Sequence, residues 1–321
     1  MPLQHTDFRS TEQHGSSSGR ADSPRGFVVN VDDRAIVALT GADGQDLLQR
    51  LSTNDVSRLK RGESIQSVLT NEKGRIVDVV SVVKLDEGEL LLVGQSSRRD
   101  DVVRWLEKYI IMEDAKAEPV DSRYGHLMVY GIDTGERLDA LFVLPEETIK
   151  FLENWNGAAV HHLLPELANL AKMIGELQTA GILNASLDHY EEFRVLHAIP
   201  RYPNELSELY NPLETNLGTF ISWTKGCYIG QEVIARLDTY KKVQKRLVRL
   251  LLDEVPDSLP QPLHSEQGEA GTITSAIKPR TGQSAQGLGY VRTTQLESRG
   301  DLFFNKGNLR ISVRPVTDGN G

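Results

Sequence analysis

The sequence predicts an α+β protein of more than one domain that ends in a small all-β domain. Three observations carry this. The chain has 321 residues, beyond the roughly 250–300 at which single cores stop growing. Its first two thirds alternate β-type and helical stretches, but the strands are joined mainly by hairpins, which argues against a doubly wound parallel sheet. From about Lys245 onward, short β runs are separated by Pro, Gly and Ser, as in a small barrel.

The elements follow in order. Residues 1–26 are polar, Ser/Gly-rich and nearly free of aliphatic side chains, so they are expected to form a disordered tail. They hold no apolar stretch for a secretory signal, and Asp7, Glu12 and Asp22 interrupt what an acid-poor transit peptide would need. Ala35–Leu39 reads as a strand. Leu47, Leu48 and Leu51 share one face of a short helix. Ser64–Leu69 and Ile76–Val83 are β runs joined by a turn at Asn71-Glu72-Lys73-Gly74, and Leu90–Val93 follows a second turn.

Val102, Val103, Leu106, Tyr109 and Ile110 repeat at helical spacing after a possible Ser96 or Ser97 cap. A β run at His126–Tyr130 precedes helical stretches from Thr134, at Leu167–Gln178 and at Asp188–His197, the last closed by Pro200. Terminal strands are expected at Arg246–Leu252, Gly271–Ile277, Gly287–Arg292 and Leu309–Val313.

Composition excludes several classes. With 39% hydrophobic and 25% charged residues the chain is neither fibrous nor wholly disordered. No apolar run reaches the roughly 18–20 residues of a membrane span. The net charge of −9 argues against wholesale nucleic-acid binding but leaves room for a local basic patch. One cysteine forbids an intramolecular disulfide or a four-thiolate metal site, and points to a reducing compartment. A cytoplasmic location is expected, with the mitochondrial matrix as the alternative in a eukaryote.

That cysteine stands in Lys225-Gly226-Cys227-Tyr228-Ile229-Gly230-Gln231-Glu232. The glycines suit a tight turn, and Val233, Ile234 and Leu237 open a helix behind it. A thiol near a helix N-terminus, two residues from Lys225, would favour its thiolate. The competing reading is a small buried apolar side chain. Trp223 either packs beneath the motif or lines a pocket. Between Lys225 and Arg249 there are seven Lys/Arg against two acids. This strip reads either as a solvated surface or as an attractor for an anionic tail or an RNA backbone. His161-His162 lacks a third ligand at metal spacing and is expected in a loop. His126 and His197 read as structural.

The K-G-C-Y-x-G-Q-E run resembles the signature of the folate-binding YgfZ-type proteins, relatives of the aminomethyltransferase (T-protein) of glycine cleavage. Leu47 to Val56 with its Thr53-Asn54-Asp55-Val56 ending, Thr70 to Asp78, Glu192-Phe193-Arg194, Pro212-Leu213-Glu214 and Leu288-Gly289-Tyr290-Val291 are similar to the family in order and spacing. The resemblance implies two α+β domains and a β-barrel around a central channel that binds tetrahydrofolate or a one-carbon derivative. On that reading residues 27–120 with 188–244 form one domain, 121–187 the second and 245–317 the barrel. It also implies a role in assembling or repairing iron–sulfur clusters, hence iron–sulfur client or assembly proteins as partners and support for tRNA-modifying enzymes.

The resemblance makes Cys227 the functional thiol and Asp78, Arg194, Trp223, Lys225 and Gln231 the folate-side residues; no metal ligand is implied. Against the transferases, Asp78-Val79 keeps one of two adjacent aspartates, Arg194-Val195-Leu196 replaces an Arg-Leu-Glu whose glutamate grips the pterin, and Gly94 replaces an asparagine. A folate-dependent one-carbon transferase remains the alternative, and any enzymatic activity would be of that kind.

Overall fold

The computed structural model describes residues 25–132, 138, 144–145, 147–280, 282, 284–298, 300–306 and 309–316. The tail expected over 1–26 falls almost wholly outside these residues, as does the helical stretch expected from Thr134. The fold is mixed α+β, with three multi-stranded sheets and six α-helices among the described residues. No described helix is long and apolar enough to cross a membrane.

One sheet has the order β3-β4-β5-β2-β6, from Ser64–Thr70, Ile76–Asp86, Glu89–Gly94, Ile36–Thr40 and Lys116–Pro119. All its pairings are antiparallel, as the run of hairpins requires. The helices Gly44–Leu51 and Arg99–Glu107 lay Leu47, Leu48, Val102 and Leu106 on it. The second helix starts without a side-chain cap: Ser96, an expected cap, turns its hydroxyl to Asp78 instead.

The second sheet has the order β10-β1-β7-β9-β8, from Ile182–Asn184, Gly26–Asn30, Leu127–Tyr130, Ala158–Leu164 and Ile149–Trp155. Its first strand departs from the sequence-based division, because Gly26–Asn30 pairs with β7 and β10 and not with the sheet that follows it in the chain. The hairpin β8–β9 was also not anticipated. It places His161 and His162 on a strand, which corrects the loop expectation. The helices Leu170–Thr179 and Leu187–Leu196 lie at the expected places, and Ser186 caps the latter by accepting from His189 N.

The remaining strands, β11 Lys245–Leu252, β12 Gln261–Ser265, β13 Gly268–Ile277, β14 Ala285–Arg292, β15 Leu302–Lys306 and β16 Leu309–Val316, close into a ring of hydrogen-bonded neighbours, β11-β14-β13-β12-β15-β16. Gly271 and Gly289 permit close strand approach, since a Cβ on either would fall within 2.5 Å of a neighbouring carbonyl oxygen.

One apolar cluster draws on all three sheets, joining Val68 and Val79, Tyr130 and Trp155, and Leu247 and Tyr290. Beside it Arg194, fully buried, ties the helix Leu187–Leu196 to the closed sheet. Its guanidinium donates to Glu191, to Glu205 Oε2 at 3.2 Å, to Ser275 Oγ at 2.7 Å and to the Ile199 carbonyl at 3.2 Å. Glu205, also fully buried, accepts in addition from Thr274 and Ser275. Breaking such a pair from one side strands a charge in the interior. Arg194→Met is expected to lower unfolding free energy by about 3–5 kcal/mol, read from urea melts, with part of that loss recovered when Glu205→Gln is added.

Candidate functional site

The cysteine loop is seated by two glycines. Gly230 has φ +81° and a Cβ there would meet the Asn71 carbonyl oxygen at 2.7 Å and Gly74 Cα at 2.9 Å. Only the absence of a side chain lets the loop touch the turn between β3 and β4. Thr70 Oγ1 donates to the Ile229 carbonyl at 2.6 Å, and Ile229 N donates to the Arg50 carbonyl at 3.1 Å. Gly230 is the N-cap of the helix Gln231–Thr239, with Gln231 half-buried as its first residue.

Lys225 does not serve the thiol in the way its spacing suggests. Its Nζ donates to the carbonyls of Gln49, Ser52 and Asn54 at 2.6, 2.8 and 2.7 Å, closing the C-terminal end of the helix Gly44–Leu51. Three donors on three carbonyls exhaust the ammonium's hydrogen-bonding capacity. Burial pulls its pKa down to about 8. Cys227 is exposed, while Tyr228 beside it is buried and carries the Lys225 charge over its ring at 5.5 Å. The thiol is thus held outward on a loop whose neighbours are fixed.

Asp78 lies two residues into β4 from the same hairpin, yet faces the interior at 1% exposure. Its Oδ1 accepts from Val79 N at 2.8 Å and Gln95 N at 3.2 Å, and its Oδ2 from Ser96 Oγ at 2.9 Å. Gly94 makes the room, because a Cβ there would stand 2.5 Å from Asp78 Oδ2. Gly94 is therefore part of the Asp78 cradle. Burial raises the carboxyl to about 6, against the pull of its three donors and of Arg34.

Next to it is a group that the sequence reading missed. Glu153, 1% exposed, accepts from Ser81 Oγ at 2.9 Å, Gln95 Nε2 at 3.0 Å and Trp155 Nε1 at 2.8 Å. His162 Nε2 lies 3.2 Å from it and Arg34 Nη1 3.7 Å. Burial favours its neutral form, but His162, Arg34 and Trp155 outweigh this and hold the carboxyl below the usual range. His162 continues to His126, ring nitrogen to ring nitrogen at 2.9 Å, and burial lowers the pKa of both histidines. The available signal was the alternation of Ile149–Trp155, in which Phe151, Glu153 and Trp155 share the buried phase. Among the described residues no group of His, Cys, Asp and Glu could hold a metal ion.

A cavity of about 820 Å³ lies elsewhere on β8 and β9 and is lined among others by Phe151, Asn154, Ala159, His161, His162 and Phe193. Its volume is that of a cofactor pocket. Of the six residues singled out from the sequence, none lines it. Lys225, Cys227 and Gln231 stand together on the cysteine loop, Asp78 sits in the buried polar layer, and Arg194 is spent between its helix and the strand β13. Trp223, 50% exposed, lines a different groove of about 370 Å³.

Comparison with known proteins agrees with the resemblance read from the motifs. Residues 26–163 match the GCVT N-terminal domain. The chain is similar to an aminomethyltransferase of Halalkalibacterium halodurans, at 24% identity over 92% of this chain and 85% of that one, and to that of Aquifex aeolicus, at 28% over 79% and 70%. A tRNA-modifying protein YgfZ of Shigella dysenteriae is 26% identical over 80% of this chain and 82% of its own. The solved aminomethyltransferase T of the Bartonella henselae glycine cleavage system shares the fold, with a TM-score of 0.76 at 16% identity over 92% of this chain and 86% of that one.

The Asp78 environment fixes a pH dependence. Its carboxyl titrates near 6 in the fold and at 3.8 when unfolded, so its contribution is fully present below the unfolded value and is lost as pH rises through the folded one. Asp78→Asn keeps the shape and lets Nδ2 donate to Ser96 Oγ. The loss of stability between about pH 4.5 and 7.5 is expected to be about 2 kcal/mol smaller in the variant, measured by paired denaturant melts.

Proposed function

We propose that this relative of the aminomethyltransferases and of YgfZ is a tetrahydrofolate-binding accessory factor in iron–sulfur cluster assembly or repair. It would support cluster-dependent enzymes, tRNA-modifying ones included, with Cys227 as the working thiol. In this reading the three sheets surround a channel, and segments 27–120 with 188–244, 121–187 and 245–317 are its three parts, Gly26–Asn30 being lent to the second. A YgfZ is among the relatives, and the K-G-C-Y-x-G-Q-E run is retained at residues 225–232.

The observation that carries the choice over a transferase is the sealing of Asp78. A carboxylate that assists one-carbon transfer must reach the folate nitrogen or the donor. Asp78 is 1% exposed with both oxygens bonded inside the protein, whereas the thiol is open to a partner. With a single cysteine, any cluster would have to be held mainly by the client protein.

The residues present suit the cofactor in size and ring character. The 820 Å³ cavity offers Phe151, Phe193 and His197 as ring faces and Asn154, Ser64 and Lys150 as polar side chains. Among the described residues no carboxylate lines it, so within that lining a pterin's donor edge would be met by Asn154, imidazole nitrogens or backbone carbonyls. This pairing is weaker than a charged one, and the affinity is expected to be below that of a carboxylate-gripped folate.

Two measurements test the reading. Calorimetric titration with tetrahydrofolate should give saturable binding that falls by at least about tenfold in Ala159→Trp, which projects an indole into the cavity, and is unchanged in Cys227→Ser. In a strain lacking its own YgfZ-type gene, the parent chain should restore growth and Cys227→Ser should not. Full rescue by Cys227→Ser refutes the working thiol, absence of folate binding refutes the cofactor, and folate-dependent turnover of a methylamine-type donor would favour the transferase.

A further inference from the structure

Of the seven basic side chains between Lys225 and Arg249, three are consumed by the fold. Lys225 holds three carbonyls, Lys245 lies over the rings of Tyr210 and Tyr290 at 4.4 and 5.4 Å, and Arg249 donates to the Leu196 carbonyl at 3.0 Å. Arg236, Lys241, Lys242 and Arg246 are left exposed. Two of these, Lys241 and Arg246, line the 370 Å³ groove that also holds Trp223.

The groove has a distinct chemistry. Leu213, Leu237 and Val243 make it partly apolar, and Asp238 adds one carboxylate. Trp155 is buried and Trp105 partly so, but Trp223 keeps half its surface in solvent, an unfavourable place for an indole with nothing on its face. Lys241 sits at φ +49° two residues past the helix Gln231–Thr239, where Lys241 N and Lys242 N donate to the Asp238 and Leu237 carbonyls. This turn fixes the lysine on the groove. Its Nζ pairs with Asp238 at 2.9 Å, while Arg246 makes no ion pair among the described residues.

The geometry points to a nucleotide site in this groove, with a base stacked on Trp223, its phosphate taken by Arg246 and Lys241, and Asp238 accepting from a ribose hydroxyl or exocyclic amine. An indole face beside guanidinium and ammonium groups is the combination that binds a ring and a phosphate together. An acidic peptide would satisfy the cations and leave the indole bare; a neutral ring would leave Arg246 unmatched. The volume suits a single nucleotide. The source is either a free nucleoside monophosphate or an unpaired nucleotide of an RNA strand. The groove shares no lining residue with the larger cavity, so the inference stands or falls apart from folate binding.

The test uses the full chain, titrated by calorimetry and tryptophan fluorescence with adenosine monophosphate, hexa-adenylate RNA and pentaglutamate. Saturable binding with quenching is expected for at least one adenine ligand. It should be weakened at least about tenfold in calorimetry by Trp223→Leu and by Arg246→Glu, with tetrahydrofolate binding unchanged in Arg246→Glu. Equal affinity for the two adenine ligands identifies a free nucleotide as the source. Tighter, steeply salt-dependent binding of the RNA identifies a strand. No saturable binding of either at millimolar concentration, binding indifferent to both substitutions, or tighter binding of pentaglutamate than of either adenine ligand overturns the inference.

Discussion

Two buried carboxylates and one guanidinium between the five-stranded sheets constrain the rest of the molecule. Asp78 on β4 and Glu153 on β8 both feel Arg34, and Gln95 bonds to both. Enclosed charge of this kind is costly unless every lone pair is met. Ser81, Ser96, Trp155 and His162 are recruited to meet them. A shift of either sheet would break several of these contacts at once, so the polar layer sets the register in which the two sheets lie. The solution is uneven: the Glu153 carboxyl is held below the usual range, whereas burial raises that of Asp78 to about 6.

That register has functional consequences. The hairpin that buries Asp78 on β4 presents its turn to the cysteine loop through Gly74 and Gly230, so the sealed carboxylate and the exposed thiol are linked through that contact. Lys225, anchored on the end of a neighbouring helix, stiffens the loop from the other side. A thiol on so rigid a support suits recognition by a partner more than capture of a small substrate in a closed pocket, and the 820 Å³ cavity is set apart from it.

Much of the architecture was legible in the amino-acid order. Leu47, Leu48 and Leu51 gave the first helix, the Asn71–Gly74 turn gave the central hairpin, and the Pro/Gly-punctuated runs after Lys245 gave the terminal strands. Each of these is a local signal, carried by side-chain periodicity or turn chemistry within a dozen residues. The hairpin β8–β9 was missed because its first strand begins just after a stretch without clear pattern, and its alternation includes Lys150, Glu153 and Asn154, which read as loop composition. Partners supplied from distant strands alone make Glu153 tolerable inside.

What the amino-acid order determined by itself was the α+β class, the single thiol on a glycine-bounded turn before a helix, and the resemblance that its motifs carry. Tertiary structure alone decided which charges are free and which are spent. Lys225 and Arg194 lie in the motifs that carry the family resemblance, yet the fold commits both to internal bonds. Arg246 and Trp223 stand at the edge of one basic run, and the fold leaves them open. The reason is physical: periodicity and turn preference act between near neighbours along the chain, whereas burial and electrostatic pairing depend on groups that meet only when remote strands are brought together.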